Sequence, residues 1–341
     1  ALFINLGKLP LIADEATRAL VALEMKLSGN LLTPTIQGEY YFNKPPLYNW
    51  ILLGLFQSGN YSELIIRLPA VISLLLYTLT IYLFTKQHSD KRTAFISAFA
   101  FMTIGRTLFY DSMLGLIDLT FSWVIFLNFI LIFYFIRKDK FHALFILSYF
   151  ITALAFLLKG LPSLVFQGIT LLTAFVYFNR FKKLLTRSHI VGILIFLIVV
   201  GGYYYMVWKE NPTPHYFNTL LTESTKRTFI EYGWGKTILH LFTFPFEQFY
   251  HLIPWSVFFI FFFRKDCYRY IQKNVLLSFF SLIFIANIII YWISVETYPR
   301  YLFMLYPLLL VVLIHYYRNI QAGHVLKKTA ADHFFGFVSE K

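Results

Sequence analysis

Cysteine is almost missing from this chain. A single thiol, Cys267, stands in 341 residues, so neither an internal disulfide nor a cysteine-rich metal centre can form. Charge is scarce too. Asp, Glu, Lys and Arg make up 14% of the residues, against about 25% in a soluble domain. That shortage excludes a soluble globular enzyme, a disordered chain and a coiled coil. There is no phosphate-binding Gly-rich loop, no dinucleotide fingerprint and no hydrolase nucleophile elbow, so nothing points to a cytoplasmic nucleotide donor. The apolar runs are continuous and not alternating, which excludes an outer-membrane barrel.

What is present is apolar and aromatic. Hydrophobic residues reach 58%, including 40 Phe, 24 Tyr and 6 Trp, and the mean hydropathy is +0.63. The expectation is an all-α, polytopic membrane protein. Stretches 68–85, 119–136, 141–158, 160–179, 188–208, 248–263, 274–295 and 301–317 contain no Asp, Glu, Lys or Arg. A less clean run, 93–110, contains Arg106. With an apolar stub before Asp14, shorter than the roughly 20 residues of a full span, this predicts about ten transmembrane helices and a first helix lacking its start. The stub has no small-residue cleavage site and does not read as a signal peptide.

The net charge of +13 could suggest nucleic acid, but its distribution suits a membrane protein with no nucleic-acid partner. Loops 86–92, 137–140, 180–187, 264–273 and 318–341 hold 18 of the 30 basic residues and 5 of the 17 acids. Cytoplasmic loops collect Lys and Arg, so these loops are expected in the cytoplasm of a plasma (inner) membrane protein. The domain expectation is one transmembrane unit over 1–317 and a cytoplasmic tail over 318–341. Two long outer segments, 13–66 and 209–250, then face outward with the turns near 111–118, 159–161 and 296–300.

The first outer loop is the most informative. Residues 14–28 predict an amphipathic helix lying along the membrane, with Leu20, Leu23 and Leu27 on one face and Gly29 as its stop. Pro45 and Pro46 then hold the chain out of helix and aim Lys44. Each polar residue has a plain alternative. Asp14 suits an N-cap bonded near Thr17 or an i,i+4 pair with Arg18, and Lys44 suits a snorkelling anchor. Further on, Arg106, Asp111 and Asp118 cluster at the outer end of a span, where ionisable groups are costly and default to functional candidates. The alternative is that the acids only end one helix and start the next. Lys159-Gly160 and Arg300-Tyr301 add cations at two more outer turns. His215, His240 and His251 have no metal-ligand spacing. Tyr203, Tyr204 and Tyr205 suit either an interfacial belt or a sugar-stacking surface, and 209–250 suits either an acceptor lid or an inert loop.

Three motifs carry a family resemblance. They are Asp14-Glu15-Ala-Thr-Arg18, the run Tyr41-Phe42-Asn43-Lys44-Pro45-Pro46, and Arg106-x4-Asp111-Ser-Met. They resemble the polyprenyl-phosphate-dependent membrane glycosyltransferases of the GT-C type, the group of the protein O-mannosyltransferases and the lipid A aminoarabinose transferases. Leu158-Lys159-Gly160 and Arg300-Tyr301 are weaker likenesses. Members usually run longer, with more spans or a soluble domain.

The resemblance implies a GT-C-like fold and a glycosyltransferase. A sugar would move, with inversion, from a polyprenyl-phosphate donor such as undecaprenyl phosphate to a lipid or protein acceptor on the outer face. It places Asp14, Asp111, Glu15 and Asp118 as catalytic candidates, with Asp111 favoured over Asp118 as the second acid. Lys44, Arg18, Lys159 and Arg300 are candidates for the donor phosphate, and Tyr41, Tyr301 and Arg106 for substrate contact. No cofactor is required, although a divalent metal could bridge Asp14 and Asp111. The competing readings are a transporter or flippase of lipid-linked sugars, and an inactive structural relative. The transporter should carry its ionisable groups near the midplane, whereas here they sit in outer loops.

Overall fold

The computed structural model of the chain describes residues 2–322, apart from 13, 58, 60, 212–218, 220, 221, 223–228 and 296, and leaves the side chains of 229–234 undescribed. Helices dominate. A surface helix, α1 (Asp14–Ser28), is followed by a two-stranded hairpin (Thr35–Ile36 with Glu39–Tyr40) and α2 (Leu47–Phe56). Then come α3 (Glu63–His88), α4 (Lys91–Met102), α5 (Gly105–Phe109), α6 (Ile117–Arg137), α7 (Phe141–Lys159), α8 (Pro162–Tyr177) and α9 (Arg187–Glu210). The second half adds α10 (Phe229–His251), a 3-10 stretch Trp255–Phe263, α11 (Lys265–Lys273), α12 (Val275–Trp292), a 3-10 turn Pro299–Leu302 and α13 (Tyr306–Ala322).

Five of these helices (α3, α6, α7, α9 and α12) are long and apolar enough to cross a membrane, six if Lys91–Met102 and Gly105–Met113, bent by 55°, form one span. The stretches 160–179 and 301–317 fold as shorter pieces, Pro162–Tyr177 and Tyr306–Ala322. Both are apolar, and Tyr306–Ala322 runs to the last described residue.

Tertiary packing separates spans that look alike in sequence. Leu302 to Ile314 are buried almost without interruption, with Phe303, Met304, Leu305, Leu308, Val311 and Leu313 at 0% exposure. A helix apolar all round belongs in the middle, and α13 occupies it. In contrast, α9 leaves Ile193, Leu194, Leu197 and Ile198 exposed and lies at the periphery against α7. Gly192 permits that contact, because a Cβ there would meet Tyr149 at 2.6 Å and the Phe145 carbonyl at 2.9 Å.

The surface helix packs on the bundle through a face other than that of its leucines. Its packed face is Glu15, Arg18, Val21, Ala22 and Met25, whereas Leu27 is 76% exposed. The charged residues turn inward because partners wait there. Arg67, inside α3, donates to both oxygens of Glu15 at 2.8 and 3.0 Å and to the carbonyls of Leu6, Leu9 and Pro10. Glu15 also accepts from the backbone N–H of Gly115 at 2.6 Å and of Ile12 at 3.0 Å. This knot ties the chain start, α1, α3 and the 111–118 turn together. Gly29, with φ of +70°, ends α1 in the left-handed conformation expected of it.

Candidate functional site

Four helix ends meet at one side of the bundle. Asp118 opens α6, Lys159 closes α7, Arg300 lies in the turn before α13, and Asp14 opens α1. Lys159 Nζ donates to Asp118 Oδ1 at 2.5 Å. Arg300 Nε lies 3.3 Å from the other oxygen of Asp118, and Arg300 Nη2 lies 3.6 Å from Asp14. The result is a row of alternating charge: Asp14, Arg300, Asp118, Lys159. Tyr301 lies beside it, its ring centroid 4.0 Å from Lys159 Nζ and 5.6 Å from Arg300. Phe121 approaches Lys159 from another side at 5.2 Å.

The two acids of the row differ. The Asp118 side chain is 7% exposed and locked between two cations, whereas that of Asp14 is 68% exposed. Arg300 Nε is buried and makes no aligned hydrogen bond. Its link to Asp118 is therefore Coulombic, and its donor capacity is not used up.

Two further groups lie beside the row. Arg106 and Asp111 form a pair at 2.8 Å, and Asp111 is buried. Asp111 also feels the fields of Asp118 and Arg300. Arg18 donates to the Tyr41 hydroxyl at 2.6 Å and stacks over its ring at 5.2 Å, while Arg18 Nη1 is buried without a hydrogen-bond partner. The Tyr48 hydroxyl is buried and equally unpartnered, within electrostatic reach of Asp118, Arg18 and Glu15. Buried orphaned donors are uncommon. A cationic one beside a hydroxyl suits an anion.

Most of the residues singled out in the sequence are brought together, with some redistribution. Asp118, not Asp111, shares an arginine with Asp14. Glu15 has both oxygens committed to Arg67 and Gly115, which leaves it holding the fold and not facing a substrate. Arg18 turns to Tyr41, so the ion pair expected between Asp14 and Arg18 gives way to one between Asp14 and Arg300. Lys44 is half-buried in the bend leading into α2. Tyr203 is buried, donates to the Leu32 carbonyl at 3.0 Å and meets Trp50 edge-on; Tyr205 is 62% exposed. His215, Glu296, positions 212–218, 220, 221 and 223–228 of the stretch 209–250, and the tail beyond 322 lie outside the described residues.

Arg67 and Tyr48 were not anticipated. Arg67 carried a signal, since an arginine at the mouth of an apolar helix needs a partner. Tyr48 carried none. Among the described residues no group of three or more His, Cys, Asp or Glu side chains could hold a metal ion. The two carboxylates considered for a bridging metal each face an arginine instead.

Residues 43–205 match the family described as dolichyl-phosphate-mannose-protein mannosyltransferase. An uncharacterised protein of Aquifex aeolicus is 29% identical over 237 residues, covering 67% of this chain and 45% of that protein. An undecaprenyl phosphate-alpha-4-amino-4-deoxy-L-arabinose arabinosyl transferase of Pseudomonas savastanoi is 40% identical over 96 residues, 28% of this chain and 18% of that protein. The crystal structure of ArnT from Cupriavidus metallidurans bound to undecaprenyl phosphate superposes with a TM-score of 0.72 at 18% identity, covering 92% of this chain and 57% of that one. The chain thus spans about half the length of the first of these relatives. The fold is that of ArnT, and the resemblance to the polyprenyl-phosphate-dependent glycosyltransferases of the GT-C type holds.

Proposed function

We propose that this chain, as a relative of the GT-C-type polyprenyl-phosphate-dependent glycosyltransferases, moves a sugar from a polyprenyl-phosphate carrier to a lipid or protein acceptor. Transfer takes place at the outer face of the plasma membrane with inversion. The observation that carries this reading is the row Asp14, Arg300, Asp118 and Lys159, assembled from four separate helix ends.

Its chemistry fits the transfer. A glycosyl phosphate already holds a good leaving group, so the enzyme has little need of a general acid. Positive charge placed where the phosphate gains charge lowers the barrier. Arg300 and Lys159 supply it in this reading, with Arg18 and Lys44 in support. Asp118 aims the two cations, bonded to Lys159 and 3.3 Å from Arg300 Nε. An acceptor oxygen attacks the anomeric carbon from the side opposite the phosphate. The carbon–oxygen bond to phosphate breaks, and its electron pair leaves on the polyprenyl phosphate. Asp14, the exposed acid, orients the acceptor and takes its proton. A carboxylate is a weak base for an alcohol, which suffices if the sugar becomes oxocarbenium-like before the proton moves. Asp111, held by Arg106, contacts the acceptor or supports the cations, and Tyr41 and Tyr301 contact substrate beside Arg18, Lys159 and Arg300.

The test is transfer of a radiolabelled sugar from undecaprenyl phosphate in membranes carrying the chain. Asp14→Asn and Arg300→Gln should each lower the rate by about 10²–10³, the usual cost of removing one group that meets developing charge. Full transfer by both variants would remove the row from the mechanism. Intact carrier crossing the bilayer without cleavage would favour the flippase.

A further inference from the structure

A second site lies at the other end of α6. This helix has 21 residues, about 31 Å at 1.5 Å per residue. Asp118 sits at its first turn, so Arg137 marks the opposite membrane face, where the basic loops gather. There, Gln87, His88, Phe133, Tyr134, Arg137 and Lys138 line a cavity of about 280 Å³. It shares Gln87 and Tyr134 with an apolar groove of about 410 Å³, which runs between α3, α6 and α7 and is walled by Leu83, Leu127, Leu131 and Ile151.

From Leu127 to Arg137 the helix rises about 15 Å, half of a hydrocarbon core about 30 Å thick. A charged mouth therefore sits one leaflet's depth above the floor of an apolar slot. The charges at the mouth have no carboxylate among the described residues. Arg137 rests over Phe133 at 5.4 Å, and Lys138 rests over Tyr134 at 4.0 Å while donating to its hydroxyl at 2.5 Å. The neighbouring acid, Asp139, is taken by Arg180 at 3.1 Å. The mouth therefore presents two cations, the Gln87 amide, the His88 ring and the two aromatic rings beneath the cations. Among the described residues it offers no carboxylate to the ammonium of a zwitterionic head group, and its aromatic faces are already covered by Arg137 and Lys138.

We propose that this groove is a binding site for an anionic glycerophospholipid of the surrounding leaflet, its phosphate at Arg137 and Lys138 and one acyl chain along Leu83, Leu127 and Leu131. The site is separate from the donor site, a membrane thickness away, and does not depend on the glycosyltransferase reading.

The experiment is native mass spectrometry of the delipidated full chain, titrated with phosphatidylglycerol or with phosphatidylcholine of the same acyl chains. The wild type should retain one phosphatidylglycerol and bind phosphatidylcholine far more weakly. R137Q/K138Q should weaken phosphatidylglycerol about thirtyfold, the equivalent of about 1 kcal/mol for each basic side chain. Leu131→Trp, which fills the slot, should displace it without touching the charges. Melting without lipid identifies a variant that fails to fold, and Leu83→Trp on the facing wall then replaces Leu131→Trp. Equal binding of the two lipids, retention by R137Q/K138Q, or retention by the slot-filling variants would each overturn the proposal. So would a dimer of the chain that the slot-filling variants break, because a second copy would then be the occupant.

Discussion

Asp14 and Asp118 share Arg300 and differ tenfold in exposure, and that difference assigns them unlike work. An exposed acid can be presented to an incoming group. A buried one, held by Lys159 and Arg300, is there to counter charge. Removing one member of a buried pair leaves the other uncompensated, typically at about 3–5 kcal/mol. Asp118→Asn should therefore lower the melting temperature in detergent well beyond any effect of Asp14→Asn; equal shifts would place Asp118 in an open site. The motif around Asp14 was readable along the chain. The choice between Asp111 and Asp118 was not. Asp111 opens a 3-10 turn and Asp118, seven residues on, opens α6, and only the approach of α7 and the 299–302 turn through space determines which of them meets Lys159. Arg67 was hidden in a similar way, because its partner Glu15 lies 52 residues away.

Elements fold here by answering each other's unpaired groups. In the 35–40 hairpin, Gln37 and Gly38 both have positive φ, at 53° and 81°, as a two-residue primed turn requires. Glu24 of α1 binds the Gln37 and Gly38 amides and the Thr35 hydroxyl. Burial pushes the Glu24 carboxyl up, but the Gln37 N–H, the Thr35 hydroxyl and the Gly38 N–H outweigh it and hold the group below its usual value. A carboxyl lowered in the fold adds stability above its unfolded pKa of about 4.3 and loses it as pH falls through the folded value. Exchange protection of the Gln37 and Gly38 amides, corrected for the intrinsic rate, should stay flat from about pH 5 to 8 and fall only in more acid solution. In Glu24→Gln that acid step should vanish; if it persists, another group holds the turn.

Gly115 makes the complementary contact. Its N–H donates to Glu15, and a Cβ would lie 2.7 Å from the Ile66 carbonyl. Gly115→Ala should cost about 1–3 kcal/mol, as overpacking does, and should lower sugar transfer by moving the Asp111–Asp118 turn off α1. A variant with wild-type melting and transfer would show that the turn has slack. The hairpin and Gly115 left little trace in the sequence. A helix-period scan finds the leucines of α1, but it cannot see that Arg67 and Tyr41 make its charged face the buried one.

At the scale of the molecule, the helix ends sort charge into two faces. One gathers Asp14, Asp118, Lys159 and Arg300, and the other gathers Asp139, Arg180, Arg137 and Lys138. In a Cys267→Ser background, cysteines placed at Glu24 and at Asp139 should react with an impermeant maleimide from opposite sides of the membrane, Glu24 from the outside. Labelling of both from one side would contradict the bundle. Hydropathy marks about ten apolar stretches, and the bundle contains five or six helices of clear spanning length among the described residues, because several stretches break at Pro162, at the bend near 103–105 or into 3-10 turns.

Composition is enough to place this chain in lipid, because long apolar runs without charge have no other favourable solvent. The lysines and arginines of alternate loops also separate the helix ends into a basic set and a more acidic one. Tertiary structure alone decided which acid joins which cation, which face of α1 is buried and that the last helix is the central one. Those outcomes depend on partners far away in the chain. A buried charge is stable only where its counter-charge arrives, and no local pattern encodes that arrival.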